Sequence, residues 1–215
     1  MDLDTLKNIV PDLLKGTLIT VELTFMSLVI GSCIGVIIAM IKLSSNKAVA
    51  AAGNFYTWIF RGTPLLLQLF LFYYGFPAIG ISLTSMQAAV IGLSLNSGAY
   101  MGEIIRSGIM AIDKGQFEAS KALGFTYFQT MKRIILPQAF RIVIPPVGNE
   151  FIALIKDTSL VSVIAMEELL RKAQLLVSSS GNVVGPYLIA AILYLVMTTL
   201  FTSIFSAIEK KLSIY

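Results

Sequence analysis

The sequence predicts an all-α integral membrane protein with five transmembrane helices in a single domain. Hydrophobic residues make up 56% of its 215 residues, and the mean hydropathy is +0.83. Only 13% of the residues are charged, whereas soluble domains carry about 25%. A helix needs about 20 mostly apolar residues to cross the hydrocarbon core of a bilayer, and several runs reach that length. We therefore expect residues 1–215 to form one membrane domain whose apolar surface faces the lipid bilayer.

Short polar links, prolines and glycines divide the apolar runs. We expect transmembrane spans at about 17–41, 64–81, 85–109, 139–155 and 183–208. Pro64 suits the first turn of a new helix, where its missing N–H leaves no hydrogen bond unmade. Residues 48–60 are ambiguous and are consistent with a helix at the membrane interface. The longest polar segment, about 110–137, is predicted to be a cytoplasmic loop.

The distribution of basic residues predicts the orientation. Of 16 Lys and Arg residues, 11 lie in the links 42–61 and 106–141 and at the C-terminus. Because basic residues concentrate in cytoplasmic loops, the N-terminus is expected outside and the C-terminus in the cytoplasm. The same topology accounts for the net charge of +4, so a nucleic-acid partner is not needed to explain it.

Several function classes are excluded by composition. The chain has no histidine and a single cysteine, Cys33, so a metal site built from His and Cys ligands is excluded. It contains no Gly-Lys pair, and therefore lacks the usual phosphate-binding loop of ATPases. No nucleophile is accompanied by a base. We expect a non-enzymatic protein whose energy comes from a partner or from a gradient.

The polar segment 110–137 is patterned like two short helices. Gly115–Leu123 reads as a helix, Gly124 suits the left-handed residue that ends it, and Thr126 with Gln129 forms a possible capping box for a second helix. An apolar stripe at helical spacing is predicted for Phe125, Phe128, Met131 and Ile135. This elbow would either dock into a groove on another protein or lie on the membrane as an amphipathic connector.

The same segment carries a recognisable motif. Glu118-Ala119-Ser120, then three residues, Gly124, nine residues and Ile134-Ile135-Leu136-Pro137 resembles the EAA loop of ABC importer permeases, with Ser120 in place of the last alanine. Further stretches resemble the polar-amino-acid branch of the histidine, glutamine and arginine type: Arg61-Gly62-Thr63-Pro64 with Gln68, Ala99-Tyr100 with Glu103 and Arg106, Gly115-Gln116, Leu136-Pro137-Gln138-Ala139 with Arg141, and Asn149 with Lys156-Asp157-Thr158-Ser159-Leu160. The resemblance covers the chain from about Thr17 to the C-terminus.

The resemblance implies a type I ABC importer in a bacterial plasma membrane. Two permease subunits would pair, as a homodimer or with a related second permease, and two copies of an ATP-binding cassette ATPase would bind ATP and Mg, leaving no cofactor in this chain. An extracellular amino-acid-binding protein would deliver the amino-acid substrate. The ATPase-coupling residues implied are Gly115, Gln116, Phe117, Glu118, Ala119, Ser120, Ala122, Leu123 and Gly124.

Acidic residues inside predicted spans indicate the substrate, because charges there are costly and usually functional. Glu150 follows Arg141 by nine residues, which places it about 13 Å deeper in the bilayer. Asp157 lies seven residues further, about 10 Å along the axis and on nearly the same helix face. Ala153 between them leaves room, so the two carboxylates could hold the two cationic groups of arginine, lysine or histidine.

Other polar residues extend this candidate site. The further substrate-binding candidates are Asn96, Ser97, Asn149, Thr158 and Ser159. The alternative roles remain open: Asp157 could stabilise a helix end, Glu150 could pair with a basic residue on another helix, and Glu103 is expected to pair with Arg106.

Other functions remain open too. Import of glutamine, glutamate or another polar amino acid is the alternative function. A self-sufficient secondary transporter fits less well, because the chain shows neither an ion-coupling site nor an internal repeat.

Overall fold

The chain folds into a bundle of helices. A computed structural model describes the backbone of residues 3–212 and the side chains of residues 9–212, and that part of the chain contains no β-strand. The α-helices are α1 (Leu3–Lys42), α2 (Lys47–Gly62), α3 (Leu65–Phe70), α4 (Ser85–Met110), α5 (Lys114–Ala122), α6 (Tyr127–Thr130), α7 (Leu136–Asp157), α8 (Leu169–Ser180) and α9 (Val184–Leu212). Two π-helical segments, Leu71–Gly75 and Met131–Ile135, and two 3₁₀ segments, Phe76–Ile79 and Thr158–Ile164, connect them.

Within the described residues two helices, α1 from Ile9 onward and α9, are long and apolar enough to cross a membrane. The pair formed by α2 and residues Leu65–Ile79 is a third candidate, bent by 98° at its break. α4 and α7 coincide with two further predicted spans, but both are less apolar than α1 and α9. α4 contains polar side chains, which it buries in the bundle, and α7 contains charged ones. Five spans therefore remain a prediction.

One sequence-based boundary differs from the structure, and the ambiguous segment 48–60 is helical. α1 begins at Leu3, well before residue 17, because Ile9 and Leu13 pack into a core with α7, α8 and α9 and so extend the helix. Residues 48–60 lie within α2, which packs against α1 and α4.

Close contact between α1 and α4 fixes the centre of the bundle. A Cβ atom on Gly35 would lie 2.5 Å from Cβ of Met101, and one on Gly98 would lie 2.6 Å from Cγ2 of Ile34. Small residues let membrane helices approach this closely, and van der Waals packing then supplies much of their association energy. The middle of α4 is therefore held rigidly.

Aromatic packing fixes α7. Phe151 is almost completely buried, and its ring centroid lies 5.0 Å from that of Phe25 on α1 and 4.6 Å from that of Phe201 on α9. Leu154 and Ile155 are buried on the same helix. This packing leaves the face of α7 that carries Glu150 and Asp157 turned away from the core.

The elbow between α4 and α7 confirms the local predictions. Asp113 caps α5 by accepting a hydrogen bond of 2.6 Å from the Gly115 N–H. Gly124 is left-handed with φ of +78°. Thr126 and Gln129 form the reciprocal capping box at the start of α6.

The predicted apolar stripe along the elbow is wrong in its second half. Phe128 is exposed, but Met131 and Ile135 pack inward against Ile112 and Ala139. For Ile135 the reason is the π-helical segment Met131–Ile135, whose wider turn rotates the side chains at its end away from the face that regular α-helical spacing predicts. The exposed large apolar side chains of the elbow are Leu123, Tyr127 and Phe128.

Candidate functional site

A cavity of about 540 Å³ opens between the α2–α3 break, α4 and α7. Its volume lies within the range of about 300–1,000 Å³ that is usual for sites of small molecules. The lining residues are Arg61, Gly62, Thr63, Pro64, Leu65, Asn96, Tyr100, Glu150, Ala153 and Asp157. Three helical segments thus bring carboxylates, a guanidinium and an aromatic ring to one place.

The helix break forms one wall. The helix is interrupted at Gly62, Thr63 and Pro64, because Pro64 lacks the N–H that a continuous helix needs. The interruption frees backbone carbonyls, and Gln68 Nε2 satisfies two of them by donating to Phe60 O at 3.0 Å and Thr63 O at 3.2 Å. Irregular backbone is tolerated at membrane depth only where it is buried in protein or lines a cavity. The break therefore stands where irregular backbone lines the cavity.

The acidic wall belongs to α7. Glu150 and Asp157 both line the cavity with Ala153 between them, as their spacing predicts. Each is partly buried. Among the side chains of residues 9–212, neither carboxylate forms an ion pair. The alternative role left open for Glu150, pairing with a basic residue, is therefore not present within this part of the chain, and both carboxylates line the cavity.

Opposite them lies a cationic group that the sequence reasoning did not assign to the site. The Cζ atom of Arg61 stands 5.1 Å from the centroid of the Tyr100 ring, within cation–π range. Its Nη1 atom lies 3.7 Å from Oε1 of Glu103. The available signal was the position of Arg61 directly before the Gly-Thr-Pro break, because breaks in membrane helices commonly frame binding sites.

Glu103 anchors an ion cluster beneath Arg61. Its Oε2 atom accepts a hydrogen bond of 2.9 Å from Arg106 Nε, which confirms the predicted local ion pair. Its Oε1 atom pairs with Lys42 of α1, which also donates to Thr57 Oγ1 at 2.8 Å. Lys42 and Glu103 lie 61 residues apart in the sequence, so no local sequence pattern predicts their contact.

The remaining predicted site residues occupy different positions. Asn96 borders the cavity, but its amide donates to Phe60 O at 2.9 Å and to Gln68 Oε1 at 3.1 Å. Ser97 is buried close to Glu150 on the next position of α4. Asn149 is exposed and is not among the lining residues.

The hydroxyl groups of Thr158 and Ser159 are used within their own helix turn. Thr158 Oγ1 donates to Ile155 O at 2.7 Å, and Ser159 Oγ donates to Lys156 O at 2.6 Å. Neither residue lines the cavity. The structure thus brings Asn96, Glu150 and Asp157 together out of the seven candidates.

Comparison with known proteins decides the family. Residues 31–214 match the model of the binding-protein-dependent transport system inner membrane component. The chain belongs to this permease family. A putative glutamine transport system permease protein of Rickettsia bellii is 44% identical to the permease over 93% of the chain and 92% of that protein. An arginine transport system permease protein of Bacillus subtilis is 42% identical over 94% of the chain and 93% of that protein.

Solved structures agree with the family. A crystal structure of an amino acid ABC transporter with histidines superposes with a TM-score of 0.93 at 39% identity, covering 98% of the permease and 99% of that chain. An inward-facing methionine ABC transporter has a TM-score of 0.74 at 19% identity, covering 98% and 97%, and shares the fold.

The family assigns the role of the permease. It is an all-α integral membrane subunit of an amino-acid ABC importer with the type I permease fold. It is a non-catalytic transport component, and ATP is hydrolysed by a partner ATPase subunit. The family also implies a binding protein as the second kind of partner.

Proposed function

We propose that the permease imports basic amino acids, namely arginine, lysine or histidine, and that Glu150 and Asp157 bind the two cationic groups of the substrate. The observation that carries the proposal is that both carboxylates line one cavity and neither forms an ion pair within residues 9–212. Unpaired carboxylates are costly to desolvate. A ligand with two positive groups offsets that cost at both positions.

Relatives leave the choice of amino acid open. Beside the glutamine and arginine relatives, an L-cystine transport system permease protein of Bacillus subtilis is 42% identical over 95% of the chain and 88% of that protein. Glutamine is the second candidate because of the Rickettsia relative. Glutamine offers one cationic group, however, and would leave one of the two carboxylates unpaired. The charge of the cavity therefore favours a basic substrate.

The test is an uptake panel. The permease is reconstituted in proteoliposomes with its ATPase and binding protein, and ATP-dependent uptake of arginine, lysine, histidine, glutamine and glutamate is measured. We expect uptake of at least one basic amino acid to dominate and to fall in Glu150→Gln and in Asp157→Asn. Glu22→Gln removes an exposed α1 carboxylate outside the cavity and serves as the matched control. Unchanged uptake and selectivity in Glu150→Gln would refute the proposal.

We further propose that α5 couples the permease to the ATPase. Seven of the nine predicted coupling residues are exposed, namely Gly115, Gln116, Glu118, Ala119, Ala122, Leu123 and Gly124. Ser120 is buried and donates to Gln116 O at 2.5 Å, and Phe117 packs partly against the elbow's own core. These two residues support the shape of α5, while the exposed ones are free to contact a partner.

The proposed assembly contains two permease copies as a homodimer and two ATPase copies that bind ATP and Mg, in a bacterial plasma membrane. The N-terminus lies outside and the C-terminus in the cytoplasm, because the basic residues concentrate on the side of α5. Native mass spectrometry of the purified complex measures the stoichiometry. Accessibility of cysteines introduced at Gln116 and at Asn182 to an impermeant reagent measures the orientation, and labelling of position 116 from outside the cell would contradict it.

A further inference from the structure

We propose that Arg61 binds the α-carboxylate of the transported amino acid and is the group that distinguishes amino acids from simple amines. The inference rests on the proposed function, because it takes the cavity beside Glu150 and Asp157 as the substrate site. It adds the one chemical group of the substrate that the acidic wall cannot bind.

The position of Arg61 suits a carboxylate. The residue lies in the last turn of α2, directly before the break, and its side chain is 43% exposed and lines the cavity. Tyr100 lies under the guanidinium at 5.1 Å and restricts its orientation. A guanidinium presents parallel N–H donors that match both oxygens of a carboxylate, which an ammonium group does not. Arg61 is therefore held ready for a bidentate contact.

The charge of Arg61 is not consumed by Glu103. Lys42, whose side chain is only 7% exposed, already occupies Oε1 of Glu103, and Arg106 occupies Oε2 at 2.9 Å. Arg61 approaches Oε1 at 3.7 Å, which is beyond hydrogen-bond range. Three cations thus surround one carboxylate among the described side chains. Arg61 is the most exposed and the most weakly bound of the three, so its hydrogen-bond donors are available to a ligand.

The charges that line the cavity are then opposite in sign and equal in number to those of a basic amino acid. Arg61, Glu150 and Asp157 supply one positive and two negative groups. Arginine or lysine supplies two positive groups and one negative group, so the complex is neutral. Glutamine would leave one carboxylate of the cavity uncompensated, and glutamate would add a further negative group. Such mismatches reduce binding because buried charges without partners are costly.

The test compares ligands that differ only at the carboxylate. The permease–ATPase complex in nanodiscs, without the binding protein, is titrated with L-arginine, with L-argininamide and with agmatine. Argininamide keeps both cationic groups and replaces the carboxylate by a neutral amide. We expect the unmodified complex to bind arginine about 10- to 100-fold more tightly than argininamide, as for loss of a charge-assisted hydrogen-bonded pair.

Arg61→Met decides the proposal. The variant is expected to bind arginine as weakly as argininamide while its affinity for argininamide and agmatine stays within about threefold of the unmodified complex. Retained amine binding also shows that the variant is folded, and Arg61→Lys should recover part of the preference. Lys47→Met, which removes an exposed cation at the other end of α2, should change neither affinity.

Two results separate the possible failures. If Arg61→Met lowers the affinities for arginine and argininamide by the same factor, Arg61 does not bind the carboxylate. The inference is then overturned, although the basic-substrate proposal stands. If arginine affinity is unchanged in Glu150→Gln and in Asp157→Asn, the acidic wall does not bind the substrate, and the proposed function itself fails.

Discussion

The side-chain amide of Asn96 on α4 donates a hydrogen bond of 2.9 Å to the backbone carbonyl of Phe60, near the end of α2. The same amide donates to Gln68 Oε1 beyond the break. One side chain therefore ties α4 to both halves of the bent helix. The shape of the cavity depends on this contact, because the lining residues Arg61 to Leu65 lie between Phe60 and Gln68.

Asn96→Ala is expected to lower the free energy of unfolding and to reduce the uptake of every substrate by the same factor. Removing the amide leaves Gln68 Oε1 without a donor and takes away one of the two hydrogen bonds to Phe60 O, at a cost of about 1–3 kcal/mol. Thermal unfolding in nanodiscs and the ratio of arginine to glutamine uptake measure the two effects. Ser94→Ala, at a buried hydroxyl without a hydrogen-bond partner among the described residues, is the control. A changed ratio with unchanged stability would make Asn96 a substrate contact instead.

The contact between Lys42 and Glu103 leads to an asymmetric prediction. Glu103→Gln is expected to destabilise the permease more than Lys42→Met. Glu103 keeps Arg106 when Lys42 is lost, whereas the buried Lys42 keeps only Thr57 when Glu103 is lost. Breaking a buried pair costs about 3–5 kcal/mol when a charge is stranded, so Glu103→Gln should approach that range. Thermal unfolding measures both variants.

The double variant tests whether the unpaired Lys42 ammonium causes the larger loss of stability. Lys42→Met combined with Glu103→Gln should be more stable than Glu103→Gln alone, because the stranded ammonium is gone. Lys15→Met, which removes the exposed pair with Asp12, should change stability by at most about 1 kcal/mol. Equal losses from the two single variants would show that Glu103 does not stabilise Lys42 in this way.

Local sequence signals predicted part of this architecture. The capping box at Thr126 and the left-handed Gly124 depend on residues within one turn of each other, so their pattern was sufficient. The shared face of Glu150 and Asp157 follows from helical periodicity alone. The pairing of Lys42 with Glu103 and the place of Arg61 above Tyr100 depend on how α1, α2 and α4 pack. No periodicity within a single helix encodes that packing.

The inward position of Ile135 could not be predicted from the sequence for a related reason. A π-helical turn changes the number of residues per turn at one place, and nothing in the segment Met131–Ile135 marks it in the sequence. A stripe drawn at regular spacing therefore points outward where the chain packs inward. The hydroxyls of Thr158 and Ser159 were likewise expected to face a substrate, but the carbonyls of their own turn lie nearer.

Glu168 gives a prediction about the contact of α8 with α9. Its carboxylate is buried, caps α8 by accepting from the N–H groups of Leu170 and Arg171, and accepts a hydrogen bond of 2.8 Å from the Tyr194 hydroxyl. Tyr194→Phe removes one bond and should cost about 1 kcal/mol. Glu168→Ala also removes the cap and should cost roughly 1–2 kcal/mol more. Equal unfolding temperatures for the two variants would contradict the capping role.

Gly124→Ala tests the coupling proposal. The left-handed conformation of Gly124, with φ of +78°, costs a residue with a side chain about 1–2 kcal/mol, so the variant should re-orient α5 relative to α6. We expect substrate binding to the complex to be retained, while substrate-stimulated ATP hydrolysis falls several-fold. Gly75→Ala is the matched control, because φ there is not positive and an added Cβ would meet only Leu71 at 3.7 Å. If ATP hydrolysis in Gly124→Ala equals that of the control while α5 is shifted, α5 is not the element that transmits substrate binding to the ATPase.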